Sequence, residues 1–370
     1  MRATPHKKIL VCPLDWGLGH AARVIPLIHA LQGYGACEII LGISGKSGSL
    51  LKSEFPNLPT IAFPSPQIRY SGGGSQVLRL LLQLPRFLAA TWKEHHLLNK
   101  MVKKHGLSAV VSDHRYGLYH RSITSVLLIH QVNLNLPRSM KLAERVANRW
   151  QHRWFRRFDQ VWIPDLGGSK NVAGNLSRIP SSLNHLYPLG ILSRFFYGHP
   201  ASVQQEDLWD IVVVLSGPEP QRSKLGRIIA GQLEQVGSKA LLVSGEMGPQ
   251  RRYQRGPVTH VSYMLSEELH QHMRAARLVV CRSGYSSVMD LLALGKKAVL
   301  IPTPGQPEQE YLARHLFHMG WFYYEEQEAL NLARALTRAD GYNPPRMAVS
   351  ERLFKRINWL YDRLKDEESE

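Results

Sequence analysis

The chain has 370 residues, 44% of them hydrophobic and 20% charged, which is enough for two cores and excludes a disordered chain. Its three cysteines, Cys12, Cys37 and Cys281, share no metal-ligand spacing, which argues against a disulfide scaffold or a zinc site and suits a reducing compartment. Lysine and arginine number 46 against 29 acidic residues, a net charge of +17, so an anionic partner is expected: nucleic acid, a membrane surface or a phosphorylated substrate.

The basic start of the chain runs into the apolar stretch 9–12, too short for a signal sequence. No window reaches about 18 apolar residues, so no spanning helix is expected. In the first half, continuous apolar runs predict strands at 8–12, 38–43, 60–64, 109–113, 125–131 and 160–164. Such runs suit strands covered on both faces. Helices are predicted at 21–31, 76–104 and 140–157. The pattern restarts at 210–217 and continues with apolar runs at 239–245, 258–264, 277–284, 297–304 and 320–326. Helices at 221–235, 285–294 and 308–318 separate several of these, and a last one is predicted at 348–365.

Two successive series of strand–helix units predict an α/β fold of two facing Rossmann-like, doubly wound domains, with the C-terminal helix free to cross back to the first. The expected layout is a first domain at 1–165, a linker at 166–206 rich in Gly, Ser, Pro and Asn, a second domain at 207–345, and a helix with an acidic tail at 346–370. Ligands in such folds bind beyond the carboxyl ends of strands, here in the cleft expected between the domains.

The turn Gly17-Leu18-Gly19-His20-Ala21-Ala22 fits the G-x-G-x-x-A dinucleotide pattern. That pattern also needs an acid at the end of the second strand, where Lys46 stands; Glu38 lies at the wrong end. This counts against NAD or FAD and leaves a ligand-free tight turn as the plain alternative. In the second domain Ser216 and Gly217 end a strand before a helix start, with Arg222 and Lys224 close in sequence. Free helix amides and a positive dipole end make an anion site; a stiff turn braced by Pro218 and Pro220 explains the same residues.

The run 278–316 is the most informative. A strand ends at Arg282-Ser283-Gly284, Asp290 follows two helical turns later, and another strand ends at 302–304, before Gln309 and Glu310. Ser283, Gly284 and the helix amides can hold a diphosphate. A carboxylate such as Asp290 can accept from ribose hydroxyls, and Gln309 and Glu310 can bind sugar hydroxyls. Singly, each residue reads as an ordinary helix-surface or first-turn polar group; together, at successive strand ends, they describe a nucleotide-sugar pocket.

These residues resemble the glycosyltransferases of two-domain GT-B architecture, and most closely the family 28, MurG-like group, typified by the enzyme that adds N-acetylglucosamine to the lipid-linked peptidoglycan precursor. Gly17, Gly19 and His20 match the family's N-terminal glycine-rich loop. Arg282, Ser283, Gly284, Asp290 and Gln309-Glu310-Tyr311 match its C-terminal signature. The resemblance implies that the acid binds ribose, that the Gln pair binds the donor sugar, and that uracil sits near Tyr263 and Met264. The chain departs from the family in having Asp290 where the family has Glu, Glu310 at the second Gln, and first-domain loops 112–120 and 129–137 that do not match the peptidoglycan enzyme.

The resemblance further implies an inverting transfer from a UDP-sugar, N-acetylglucosamine or a related hexose. Such a step needs a base for the acceptor hydroxyl and positive potential on the leaving diphosphate. His20 is the candidate base, since imidazole titrates near working pH; it could instead donate to the diphosphate, with Asp113 as base. No Asp-x-Asp is present, so helix N-termini with Arg222 and Arg282 are expected to replace a metal, and no cofactor is expected.

Two basic amphipathic segments could explain the charge. Residues 75–96 are apolar with Arg79, Arg86 and Lys93; a core-facing helix accounts for them as well as an interfacial one. In 140–158, Lys141, Arg145, Arg149, Arg153 and Arg156 form one face and Ala143, Ala147, Trp150, Trp154 and Phe158 the other. Both fall in the first domain, where the family binds acceptor. A lipid-linked acceptor on the inner, anionic face of the cytoplasmic membrane fits, with the protein held there peripherally. No nucleic-acid motif is present, which argues against that partner. A UDP-sugar hydrolase of the same architecture and a non-catalytic membrane scaffold remain as alternatives.

Overall fold

A computed structural model of the chain describes residues 7–35, 37–65, 76–135, 140–197 and 208–366. The chain divides into two compact units: Met1–Trp16, Val24–Leu192 and Val349–Glu370 form one, and Gly17–Arg23 with Ser193–Ala348 the other. The tail 367–370, the stretch 198–206 of the expected linker with Asp207, and the side chains of 76–84 with Arg79 lie outside the described residues.

The first unit follows the order β1 (Lys7–Cys12), α1 (Leu18–Gln32), β2 (Cys37–Ile43), α2 (Gly45–Glu54), β3 (Thr60–Ala62), α3 (Gln76–His105), β4 (Ala109–Asp113), β5 (Thr124–Leu128), α4 (Lys141–Phe155), β6 (Gln160–Ile163) and β7 (Leu186–Pro188). Its seven strands lie in the order β3-β2-β1-β4-β5-β6-β7, every pair parallel. Helices cover both faces, which is why the strands read as unbroken apolar runs. One layer packs Leu10, Ile40 and Val110 against Leu98 of α3. Another packs Leu127, Ile129 and Val161 against Phe155 of α4. Each such side chain contributes about 1.5–3 kcal/mol when fully buried. The chain turns from β1 toward β2 and later returns beside β1 as β4, so the switch point lies between β1 and β4.

The expected linker is shorter than its composition suggested. Asp165 is fully buried, and its carboxylate accepts from the amides of Leu166, Val172 and Ala173 and from the Ser177 hydroxyl, at 2.6–3.0 Å. That one side chain folds the Gly- and Asn-rich stretch into the first unit. The backbone then rejoins the sheet as β7, with Leu186 opposite Val161. Polarity here reflects a tight turn system satisfied by a buried acid rather than a free connector.

The second unit continues with β8 (Trp209–Val214), α5 (Gln221–Val236), β9 (Ala240–Val243), β10 (Arg252–Arg255), β11 (Val258–Val261), α6 (Ser266–Arg274), β12 (Ala276–Cys281), α7 (Tyr285–Leu294), β13 (Ala298–Leu300), α8 (Pro307–His318), β14 (Tyr323–Tyr324) and α9 (Leu332–Ala339). Its sheet order is β10-β11-β9-β8-β12-β13-β14, parallel apart from the β10–β11 hairpin. The switch point lies between β8 and β12. The last helix, α10 (Glu351–Asp366), belongs to the first unit. There Tyr361 stacks on Tyr34 at 5.0 Å and its hydroxyl donates to the Leu31 carbonyl at 2.8 Å. The sequence leaves this return open; a buried stripe of Leu353, Ile357, Leu360 and Leu364 accounts for it.

Candidate functional site

In the second unit the residues of the signature converge at three adjacent carboxyl ends, those of β8, β12 and β13. After β12, Ser283 is fully buried and its hydroxyl donates to the Gln309 carbonyl at 2.8 Å. Gly284 is the N-cap residue of α7 and brings no side chain to the helix start. A helix start beside a switch point is a place for an anion. After β8, Gly217 sits at φ +99° on an exposed turn, a conformation that favours glycine. Ser216 is half-buried beside it.

Two cations expected to face the leaving group have other work. Arg282 is completely buried, donating to the carbonyls of Ile301, Pro302 and Gln221 at 3.3, 3.1 and 2.8 Å and to Gln327 Oε1 at 2.6 Å. Burial lowers its guanidinium to about 10. It ties the end of β12 to the end of β13 and the start of α5. Arg222 donates to Glu219 Oε1 and to the Gly245 carbonyl. Burial pushes Glu219 up, but hydrogen bonds from Arg222 and Ser223 outweigh it and leave that carboxyl below its ordinary value. Arg222 is therefore already paired with an acid.

The remaining donor-side residues are also held in place. Asp290, buried in α7, accepts from the Ser193 hydroxyl at 2.7 Å and Arg194 Nε at 3.0 Å. Burial raises its carboxyl, and Arg194 and Ser193 act in the opposite direction. Gln309 Oε1 accepts from the Thr303 amide at 2.9 Å and Glu310 Oε1 from the Gly305 amide at 2.9 Å, so both side chains brace the turn that opens α8. Tyr263 is half-buried and Met264 buried in the loop between β11 and α6.

The glycine-rich turn after β1 is anchored by a residue the sequence did not single out. Asp15 Oδ1 accepts from the Ser47 amide at 3.0 Å, serving the first turn of α2 from another loop. Gly17 adopts φ +154°. The segment Gly17–Arg23 groups with the second unit, where the Ser286 hydroxyl donates to the Gly19 carbonyl at 2.7 Å. His20 stands on the first turn of α1 with Nδ1 2.7 Å from Arg23 Nη2.

Asp113 ends β4, at the switch point of the first sheet, with its side chain fully buried. It lies 3.3 Å from His114 Nδ1. His114 has φ +55°, the one non-glycine residue with positive φ among the described residues, and its amide donates to the Leu128 carbonyl at 3.1 Å. Its ring lies 4.7 Å from that of His130. Arg115, also buried, pairs with Glu94 at 2.9 Å and donates to the carbonyls of Phe63 and Pro64. Sequence reasoning found Asp113 but missed His114, Arg115 and His130. The one available signal was the density of polar residues in 112–116 after a buried strand. A carboxylate hydrogen-bonded to imidazole at a strand end can accept or relay a proton.

Comparison with known proteins then gives the class. Residues 228–346 match the glycosyltransferase family 28 C-terminal domain. The chain is 24% identical over 355 residues to an uncharacterized glycosyltransferase of Methanopyrus kandleri, covering 90% of this chain and 95% of that protein. It is 26% identical over 211 residues to the Nocardia farcinica UDP-N-acetylglucosamine–N-acetylmuramyl-(pentapeptide) pyrophosphoryl-undecaprenol N-acetylglucosamine transferase, 55% of this chain and 51% of that one. In fold it resembles the glycosyltransferase of kitacinnamycin, with TM-score 0.62 and 12% identity over 96% of this chain and 95% of that one. It also resembles Acinetobacter baumannii MurG, with TM-score 0.54 and 15% identity over 97% and 100%. The protein is a glycosyltransferase of the GT-B type. More particularly, its second unit matches the family 28 C-terminal domain, and the chain is similar to MurG enzymes in part of its sequence and in fold.

Proposed function

We propose that the protein transfers N-acetylglucosamine or a related hexose, with inversion and without a metal, from a UDP-sugar to a lipid-linked acceptor at the inner face of the cytoplasmic membrane. The observation that carries the donor half is the start of α7 at Gly284, at the switch point of the unit that matches the family 28 domain. In this reading the α7 amides take the diphosphate. Asp290 takes ribose, the loop at Tyr263 and Met264 takes uracil, and Gln309 and Glu310 take the sugar. His20 or Asp113 removes the proton from the acceptor hydroxyl. The freed oxygen bonds to the anomeric carbon as the bond to the UDP oxygen breaks, and UDP leaves with the electron pair. Ribose and sugar must compete for groups already in use: Arg194 holds Asp290 and the α8 turn holds Gln309.

Support for the acceptor half is twofold. Relatives named for transfer to a pyrophosphoryl-undecaprenol share sequence with this chain. The exposed face of α4 carries Arg145, Arg149 and Arg153 with Leu142 and Val146, the last two 75% and 61% exposed. On α3, Trp92 is 62% exposed. Apolar side chains among arginines suit an anionic lipid interface. No helix of the described residues is long and apolar enough to cross a membrane.

A thermal-shift screen of nucleotide sugars, followed by transfer to lipid-linked acceptors with and without EDTA, tests the reading. A ligand bound only by the native state raises the melting temperature, so UDP-N-acetylglucosamine is expected to stabilise the protein. Donor turnover at the same rate without any acceptor would mean a hydrolase, and loss of transfer in EDTA would overturn metal independence.

A further inference from the structure

Helix α4 has two polar faces with different tasks. One is the exposed arginine face. The other presents Asn148, Gln151 and His152, spaced three and four residues apart and so on one side of the helix. These three side chains grip the backbone of the loop that follows β5. Asn148 Oδ1 accepts from the Leu134 amide at 2.7 Å and its Nδ2 donates to the Leu134 carbonyl at 3.4 Å. Gln151 Nε2 donates to the Gln131 carbonyl at 2.5 Å. His152 Nε2 lies 3.0 Å from the Val132 carbonyl. Backbone groups beyond a strand end need partners, and here a helix side chain supplies them. Gln151 and Val132 are buried, while Asn148 and His152 are half-buried. The same loop begins with His130, whose ring packs on His114 beside Asp113.

We propose that Asn148, Gln151 and His152 are positioning residues that couple the arginine face of α4 to the loop 130–134, so that docking on an anionic lipid surface orders this loop beside the Asp113–His114 pair. The inference rests on the membrane reading given above and adds what the surface does for the site. The helix is rigid across one turn, so fixing Arg145, Arg149 and Arg153 fixes Asn148, Gln151 and His152 as well. Lys141 is paired with Glu144 at 2.9 Å, which leaves the arginines to meet phosphate headgroups.

The test measures amide hydrogen exchange of the loop with and without vesicles of phosphatidylglycerol, with phosphatidylcholine vesicles as control. Sedimentation reports vesicle binding in parallel. In the wild-type protein, phosphatidylglycerol vesicles are expected to slow exchange of the loop amides by about three- to tenfold, the net worth of a hydrogen bond or so. The double variant Asn148→Leu/Gln151→Leu is expected to bind the vesicles equally and to lose that protection. Asn148→Asp, which keeps the acceptor for the Leu134 amide, is expected to retain it. Arg149→Glu/Arg153→Glu leaves the grip intact on a solvent face, so it folds normally and loses vesicle binding and protection together. Equal vesicle protection in the Leu double variant, or bound wild type without protection, would overturn the coupling while leaving the membrane reading in place. Wild type that does not sediment with phosphatidylglycerol overturns the membrane reading and the coupling with it.

Discussion

At the scale of residues, the main finding is how many of the charged groups near the strand ends are spent inside the protein. Arg282 makes four hydrogen bonds from a fully buried position. Arg282→Ala orphans those acceptors, each at a cost of about 1–3 kcal/mol, so the unfolding free energy in urea is expected to fall by at least about 3 kcal/mol. Normal stability with only weaker UDP binding would return Arg282 to the ligand. Glu94 and Arg115 form a second buried pair, with side-chain exposures of 5% and 0%. Removing one partner of such a pair costs about 3–5 kcal/mol, so Glu94→Ala is expected to lower the midpoint of urea unfolding sharply. It also loosens the turn that carries His114.

At the scale of elements, α4 and α10 show how amphipathic helices acquire a place. Helix α4 buries Gln151 and Phe155 and leaves its arginines in solvent. Each basic residue near an anionic surface is worth about 1 kcal/mol. Replacing Arg145, Arg149 and Arg153 with Glu is therefore expected to weaken binding to phosphatidylglycerol vesicles by a hundredfold or more, roughly, as read by sedimentation. Helix α10 joins the first unit through its leucine stripe and the Tyr361 hydroxyl. Tyr361→Phe removes one buried hydrogen bond and is expected to cost about 0.5–1.5 kcal/mol in urea unfolding. A larger loss would mean that the Tyr34 stack depends on the hydroxyl.

At the scale of the whole molecule, the partly buried histidines set an acid limit. Burial lowers His120, His152, His185, His260 and His272 below their ordinary value of 6.5, and these residues lie in both units. The unfolded chain takes up protons at 6.5, whereas the folded one holds these rings neutral to lower pH. Below that value the unfolded state binds more protons, so stability falls as pH falls through and below 6.5. The melting temperature is expected to drop steadily between about pH 7 and pH 5. A flat profile would show that the rings are solvated in the fold.

The sequence by itself determined the order of the long strands and helices and the two-unit plan, but not the short or polar elements α2, β7, β10, α6 and α9. Unbroken apolar runs ending in Gly, Ser or Pro are local signals; β4 and α7 lie where the pattern puts them, at Ala109–Asp113 and Tyr285–Leu294. The tertiary structure decided which polar groups remain available. Arg282 meets Gln327 from 45 positions away and Asp290 meets Ser193 from 97. The stretch after Asp165 reads as a linker by composition, and only the buried carboxylate makes it part of a sheet. The reason is physical: backbone preference is set by neighbours in the chain, whereas the role of a charge depends on which distant partner folding brings within about 3 Å.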